Sequence, residues 1–465
     1  MKAIEFAIAL RNLQRNRRRS LTTLVAMVLG MVAVLLFGGY IRDLAYGLQT
    51  DYVNRTGHLQ LQRQGYHLYG SGNPIDYGIE RYEDVLALLR ADPVLAPMLV
   101  VATPTLQFGA IAGNFGAGVS RTVQVSGTVV ADEARMLAWN DYGLPELKAP
   151  LTLAGSAPDA AVIGTGVARV LHLCAPLKVA DCEAQAEPAP AGDAALPDDL
   201  AALAGKATPA KPTAAGAPRI ELLAASSRGA PNVGSVQVVR AEYQGVKEVD
   251  DIYVALHLGQ AQKLVFGNGP ARATAIALQL RHTAQMDAAR ARLDELLRTR
   301  LADRKLEVLD YETINPFYGQ TLAMFASIFG FMAVLIGAVV LFTISNTMSM
   351  TVVERTVEIG TVRAIGLRRR GVLQGFLIEA VALGGVGAVV GVLLAMALAA
   401  AINLMGLTWL PPGRIEPVPL TVRVAGEWAM ILGCAATLVL VTVLSALLPA
   451  SRAANLNIVE ALRHV

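Results

Sequence analysis

Residues 319–353, GQTLAMFASIFGFMAVLIGAVVLFTISNTMSMTVV, contain no charged side chain. A bilayer core needs about 20 mostly apolar residues in helical form, so this stretch is long enough to cross a membrane and project beyond it. Outward from it, Leu21–Tyr40 is another uncharged run. A further one begins near Phe376, passes Glu379 close to its start and continues to about Leu410, and the last covers Trp428–Leu448. The pattern predicts four membrane-spanning helices, the two intermediate ones occupying 312–353 and 372–410 with their flanks. Basic residues cluster beside these runs: Arg11, Arg15, Arg17, Arg18 and Arg19 before the first, Arg355, Arg363, Arg368, Arg369 and Arg370 between the second and third, Arg452 and Arg463 after the fourth. Such clusters favour the cytoplasmic side. Residues 1–20, 354–371 and 449–465 are therefore expected inside, and residues 41–318 and the loop 411–427 outside. The first run has the basic flank of a signal peptide, but its apolar stretch is longer than usual and no A-x-A site follows Gly39, so a retained anchor is expected.

Composition agrees with a hybrid of membrane and wet parts. Hydrophobic residues make up 54% and charged residues 17% of the 465, against roughly 25% charged in soluble domains. The net charge of +3 comes from topological clusters rather than a basic stripe beside aromatics, so no nucleic-acid partner is predicted.

Residues 54–311 carry soluble-type patterning. His58–Gln62 alternates polar and apolar as a half-buried strand does, and 121–130 and 274–280 read likewise. Residues 83–90 and 285–298 read as amphipathic helices, with Met286, Ala289, Leu293 and Leu296 at helical spacing. An α+β domain inserted between spans 1 and 2 is predicted. Within it, 183–218 is dense in Ala and Pro, a composition that favours a mobile insertion. Residues 41–53 are expected to prolong the first span and 312–318 to lead into the second, forming a stalk. Cys174 and Cys182 would be able to pair if this domain faces an oxidising compartment, though spacing alone leaves the pairing open. Cys434 lies in an apolar run as a small packing residue.

Energy-converting chemistry is missing from these residues. There is no GxxxxGK[ST] loop, no HExxH or GxSxG, and no His/Cys cluster at metal spacing. The chain is expected to be non-catalytic, with no cofactor or metal of its own. Gly387 and Gly391 form a GxxxG step, which suits either packing inside one chain or contact between two.

The most specific stretch is Val353–Gly366, VERTVEIGTVRAIG. Read physically, it is a short amphipathic segment: Val357, Ile359, Val362 and Ile365 form an apolar stripe and Glu354, Arg355, Glu358 and Arg363 supply charge. A helix lying on anionic lipid is one reading. The segment also resembles the cytoplasmic loop of FtsX/MacB/LolC-LolE ABC permeases, matching at Glu354, Arg355, Glu358, Ile359, Gly360, Arg363, Ala364, Ile365 and Gly366. Residues 449–463, PASRAANLNIVEALR, resemble that family's ending, with Ile458 where Pro is usual. The match covers about the last 145 residues in detail, and the plan of one span, a large outer domain and three further spans also agrees.

The resemblance implies a bacterial inner-membrane permease of the mechanotransmission type. The 354–371 segment would be its ATPase-coupling helix, docking on a separate ABC ATPase present in two copies that binds ATP and Mg. A second permease copy or a paralogue, membrane lipids and a periplasmic carrier or adaptor are the other implied partners. Val28, Val32, Leu35, Met324, Ile328 and Phe331 are candidates to line a central cavity for a lipid-like substrate. The implied function is extraction or export of an amphipathic cargo, such as a lipoprotein or an efflux substrate. The alternative is FtsX-like signalling to a periplasmic partner without transport, against which the large size of the outer domain counts.

Overall fold

The computed structural model describes residues 17–70, 73–144, 153–180, 182, 217–226, 231–410 and 417–463. Most of the basic N-terminus, residues 183–216 of the Ala/Pro-rich stretch and residues 411–416 of the last loop lie outside them. The chain divides into two compact units: Met1–Gly47, Phe317–Trp409 and Val418–Val465 form one, and Leu48–Pro316 with Leu410–Pro417 the other.

Four long helices run Arg17–Thr56, Pro316–Glu354, Arg369–Met405 and Trp428–Ala454. Each is long and apolar enough to cross a membrane. Their ends follow from local chemistry. The second begins at Pro316, whose missing N–H costs nothing in a first turn, while Asn315 before it is held out of helical geometry at φ −121°, ψ 76°. The expected continuous lead-in over 312–318 is therefore broken: Tyr311–Ile314 is a separate short helix capped by Asp310, whose carboxylate accepts from the Thr313 N–H at 2.7 Å. The third helix stops at Met405 rather than near Leu410, because Gly406 turns left-handed at φ 60°. Thr408–Trp409 then pairs with Val418–Pro419. The fourth continues through Pro449 to Ala454.

Small residues set the packing of this unit. A side chain at Gly391 would meet Met31 Cβ at 2.7 Å, one at Gly387 would meet Met27 at 3.3 Å, and one at Gly384 would meet Thr442 at 3.0 Å. The GxxxG step thus packs the third helix on the first within one chain. The second helix contributes the narrow stripe Val340, Ile344, Met348 and Val352, and Thr23 donates to Thr347 across the first and second helices at 3.0 Å. Only 6% of its apolar window is buried, against 33%, 28% and 28% for the first, third and fourth.

The loop before the fourth helix is clasped to the first. Arg42 Nε donates to Glu427 at 3.1 Å and the Tyr46 hydroxyl donates to the same carboxylate at 3.1 Å. Arg423 Nε pairs with Asp43 at 3.4 Å, and its backbone N–H donates to the Gly39 carbonyl at 3.2 Å. The guanidinium groups of Arg42 and Arg423 both lie 5.4 Å from the Tyr46 ring centroid.

In the other unit, the strands are β1 (Leu59–Arg63), β2 (Ile79–Glu80), β3 (Leu99–Asn114), β4 (Val119–Thr128), β5 (Ala160–Gly164), β6 (Arg219–Ala225), β7 (Pro231–Glu242), β8 (Tyr253–His257), β9 (Arg272–Ala273), β10 (Ala275–Leu280) and β11 (Leu306–Asp310). The first half of β3 pairs with β10, which continues through β1 to β11. Its second half pairs with both β4 and β6. The pairings β4–β8, β8–β5, β5–β7 and β7–β6 complete a six-stranded ring, which leaves those strands no open edge. Leu106, Phe108, Val125, Ile163, Leu222, Val238 and Leu256 fill it. The helix Leu258–Phe266 packs against the ring, and Gly127 is needed where a Cβ would fall 2.5 Å from Ala261.

The mixed α and β character and the helices Tyr82–Ala91 and Met286–Thr299 agree with the expectation. β1 does not: both its faces are buried, because Gln60 donates to the Thr56 carbonyl at 2.8 Å and accepts from Gln62 at 2.8 Å. Residue 130 opens a helix, Val130–Leu137, instead of ending a strand. Cys174 and Cys182 are joined, with their Cα atoms 5.5 Å apart.

Candidate functional site: the segment between the second and third long helices

Local chemistry delimits this segment on both sides. The second long helix ends at Glu354, Arg355 breaks the path at φ −99°, ψ 11°, and a short helix runs Thr356–Ala364. It stops in a Schellman motif: the Leu367 N–H donates to the Val362 carbonyl at 3.2 Å and the Gly366 N–H to Arg363 at 3.1 Å. Gly366 has φ 113°, a value glycine adopts without strain. Arg368, extended at ψ 153°, then opens the third helix. The text RAIG thus encodes the turn that doubles the chain back.

One side of the short helix is held by its own chain. Ile359 and Gly360 are buried. Arg363 donates to the Leu456 carbonyl, and Arg369 Nη1 donates to Asn455 Oδ1 at 3.0 Å. The short helix packs on the terminal helix Ile458–Arg463. Ile458 does not prevent that helix from starting there, since the Asn457 side chain accepts from the Val459 N–H at 3.4 Å. Arg355 also faces inward, its side chain 15% exposed, with Nη1 3.4 Å from Glu379 Oε2 and Nε 4.0 Å from Glu358 Oε2.

The other side is open. Val357, Val362, Ile365 and Leu367 are exposed, Ile365 to 83%. Glu354, Glu358 and Ala364 lie on the same exposed surface. The predicted coupling residues therefore divide: Glu354, Glu358, Ala364 and Gly366 outward, Arg355, Ile359, Gly360 and Arg363 inward. The stripe read from the sequence divides too, as Ile359 turns to the interior.

The six candidate cavity residues are not gathered on one surface. Val28, Val32 and Leu35 are buried within the helical unit, whereas Met324, Ile328 and Phe331 are exposed. Val28, Val32 and Leu35 therefore serve the unit's own core.

Two features escaped the sequence reading. Glu379, a charge among apolar residues, was visible as an anomaly, but its partner Arg355 lies 24 positions away. The second is a partly buried polar cluster in the ring-bearing unit, where Arg55 Nη1 donates to Gln244 at 3.1 Å, the Thr128 hydroxyl donates to Glu133 at 3.0 Å and Arg240 stands 3.8 Å from Glu242. Burial pushes the Glu242 carboxyl up to about 7; Arg240 opposes the rise and Glu133 adds to it. Burial likewise drives His58 down to about 4, against the pull of Asp141. The His58 Nδ1 accepts from the Leu280 N–H at 3.0 Å. Among the described residues no group of three or more His, Cys, Asp or Glu is placed to hold a metal ion.

Comparison with known proteins bears on the same segment. Residues 327–458 match the family described as FtsX-like permease C-terminal, a range that contains most of the second long helix, the third and fourth, and the segment between the second and third. The macrolide export ATP-binding/permease protein MacB of Brucella abortus is 27% identical over 179 residues, 38% of this chain and 27% of that protein. An uncharacterised ABC transporter permease of Methanocaldococcus jannaschii is 29% identical over 218 residues, 46% of this chain and 51% of its own length. The pyoverdine export ATP-binding/permease protein PvdT of Pseudomonas putida is 30% identical over 195 residues, 40% and 26% of the two chains. The chain thus spans from about a quarter to about half the length of these relatives. An FtsX-like domain over 327–458 and relatives named as ABC permeases support an ABC permease of the FtsX/MacB type.

Proposed function

We propose that the chain is the membrane subunit of an inner-membrane ABC machine that converts ATP hydrolysis into movement of its ring-bearing unit on the periplasmic side. That movement extracts or exports an amphipathic cargo, the class that fits relatives named for macrolide and pyoverdine export. The Arg clusters support cytoplasmic ends and an outer location for residues 54–311. ATP and Mg are bound by an ATPase carried outside these 465 residues, and a second permease chain completes the machine.

One observation carries this reading. The helix Thr356–Ala364 is fastened by its inner side to its own chain while Val357, Val362 and Ile365, with Glu358 beside them, face outward. A segment that only lay on lipid would need neither a pinned back nor exposed carboxylates. A helix that must receive a push needs a firm back and a shaped front. The test is co-purification from membranes in detergent, wild type beside Glu358→Lys and Ile365→Glu, with ATPase activity assayed. Both changes sit on the exposed side; Glu358→Lys also removes the second carboxylate beside Arg355, whereas Ile365→Glu leaves that pair untouched and isolates the outer face. Loss of a co-purifying ATPase in the variants is the expected result; an ATPase that binds both variants like wild type, or none with wild type, overturns the reading.

A further inference from the structure

Glu379 is the one acidic residue of the third long helix, Arg369–Met405. It stands ten residues inside that helix, roughly 15 Å along its axis. Its neighbours Phe376, Ala380 and Leu383 are buried, and its own side chain is 10% exposed. A carboxylate in such surroundings is expensive unless paired. The partner that reaches it, at 3.4 Å, is Arg355, the residue at the break between the second long helix and the short helix. Arg355 is itself mostly covered, and Glu358 on the short helix offers it a second carboxylate at 4.0 Å. One guanidinium therefore spans a carboxylate of the third helix and one of the short helix.

We propose that Arg355 and Glu379 are positioning residues: their ion pair sets the register of the short helix against the third long helix, so that a push on the outer face reaches that helix. This assigns Arg355 an inward role rather than a contact with a partner. The functional consequence rests on the coupling reading above, while the register itself does not. An ion pair buried in apolar packing suits such a link, because sliding either element by one residue strands both charges. An apolar contact would tolerate the slip.

The test uses the full chain in membrane vesicles, with Cys434→Ser and a reporter cysteine at the buried position Ile359. Maleimide labelling of Ile359→Cys is followed in Glu379→Gln, Arg355→Gln, Glu379→Asp and the exchange Arg355→Glu with Glu379→Arg. Each neutralising variant is expected to label about tenfold faster, with the exchange and Glu379→Asp returning to within about threefold of wild type. A merely destabilised bundle does not recover on exchange. Unchanged labelling in the neutralised variants overturns the proposal, and so does faster labelling that the exchange leaves uncorrected. Co-purifying ATPase is measured on the same samples. The labelling pattern without any ATPase upholds the link and defeats the coupling reading; ATPase retained with unchanged labelling does the reverse.

Discussion

Burial decides the charge state of Glu242. Its carboxyl is raised to about 7 from an ordinary value near 4.5, so the folded chain binds more protons than the unfolded one between those values. The contribution of this group to stability is therefore full below about 4.5 and is lost as pH rises through 7. Glu242→Gln removes the titration. It should raise the melting midpoint of the detergent-solubilised chain at pH 8 and leave it nearly unchanged at pH 4.5; equal shifts at both values would contradict this. At Gly391 the constraint is space. Gly391→Leu forces atoms into Met31 and should cost about 1–3 kcal/mol, read as a lower midpoint in detergent. Gly385→Leu, with nothing within 4 Å of the new Cβ, should melt like wild type.

At the scale of elements, the clasp of the first helix on the 418–427 loop rests on one aromatic ring between two guanidinium groups and on two ion pairs. Tyr46→Ala removes the ring and its bond to Glu427. The loop should then open about tenfold more often, since such contacts contribute roughly 1–2 kcal/mol. Trypsin cutting after Arg423 measures this; an unchanged rate would show that the ion pairs alone hold the loop. The turn after the short helix was legible in principle, because RAIG places Gly366 where only a left-handed residue closes a Schellman motif. The break at Asn315–Pro316 was legible in principle too, as proline restricts its predecessor. The burial of both faces of β1 was not: alternation at His58–Gln62 says which residues are apolar, and only the tertiary structure shows Gln60 bonded to the Thr56 carbonyl, Gln62 bonded to Gln60, and both out of solvent.

Over the whole molecule, the proposed topology puts Ile365 and Val233, both exposed, on opposite sides of the membrane. With Cys434→Ser, a cysteine at position 365 should react with an impermeant maleimide only in inverted vesicles, and one at 233 only in intact cells. Labelling of both from one side would refute the arrangement. The apolar runs determined by themselves the four long helices, because the bilayer and backbone hydrogen bonding act on local composition. Tertiary structure alone decided the closure of the six-stranded ring, whose pairings join residues as distant as Ala110 and Ala224. It decided that Gly387 and Gly391 meet the first helix of the same chain. It also turned Arg355 and Ile359 inward while Ile365 faced out. Each depends on which surface a distant segment covers, and composition and spacing along the chain carry no record of that.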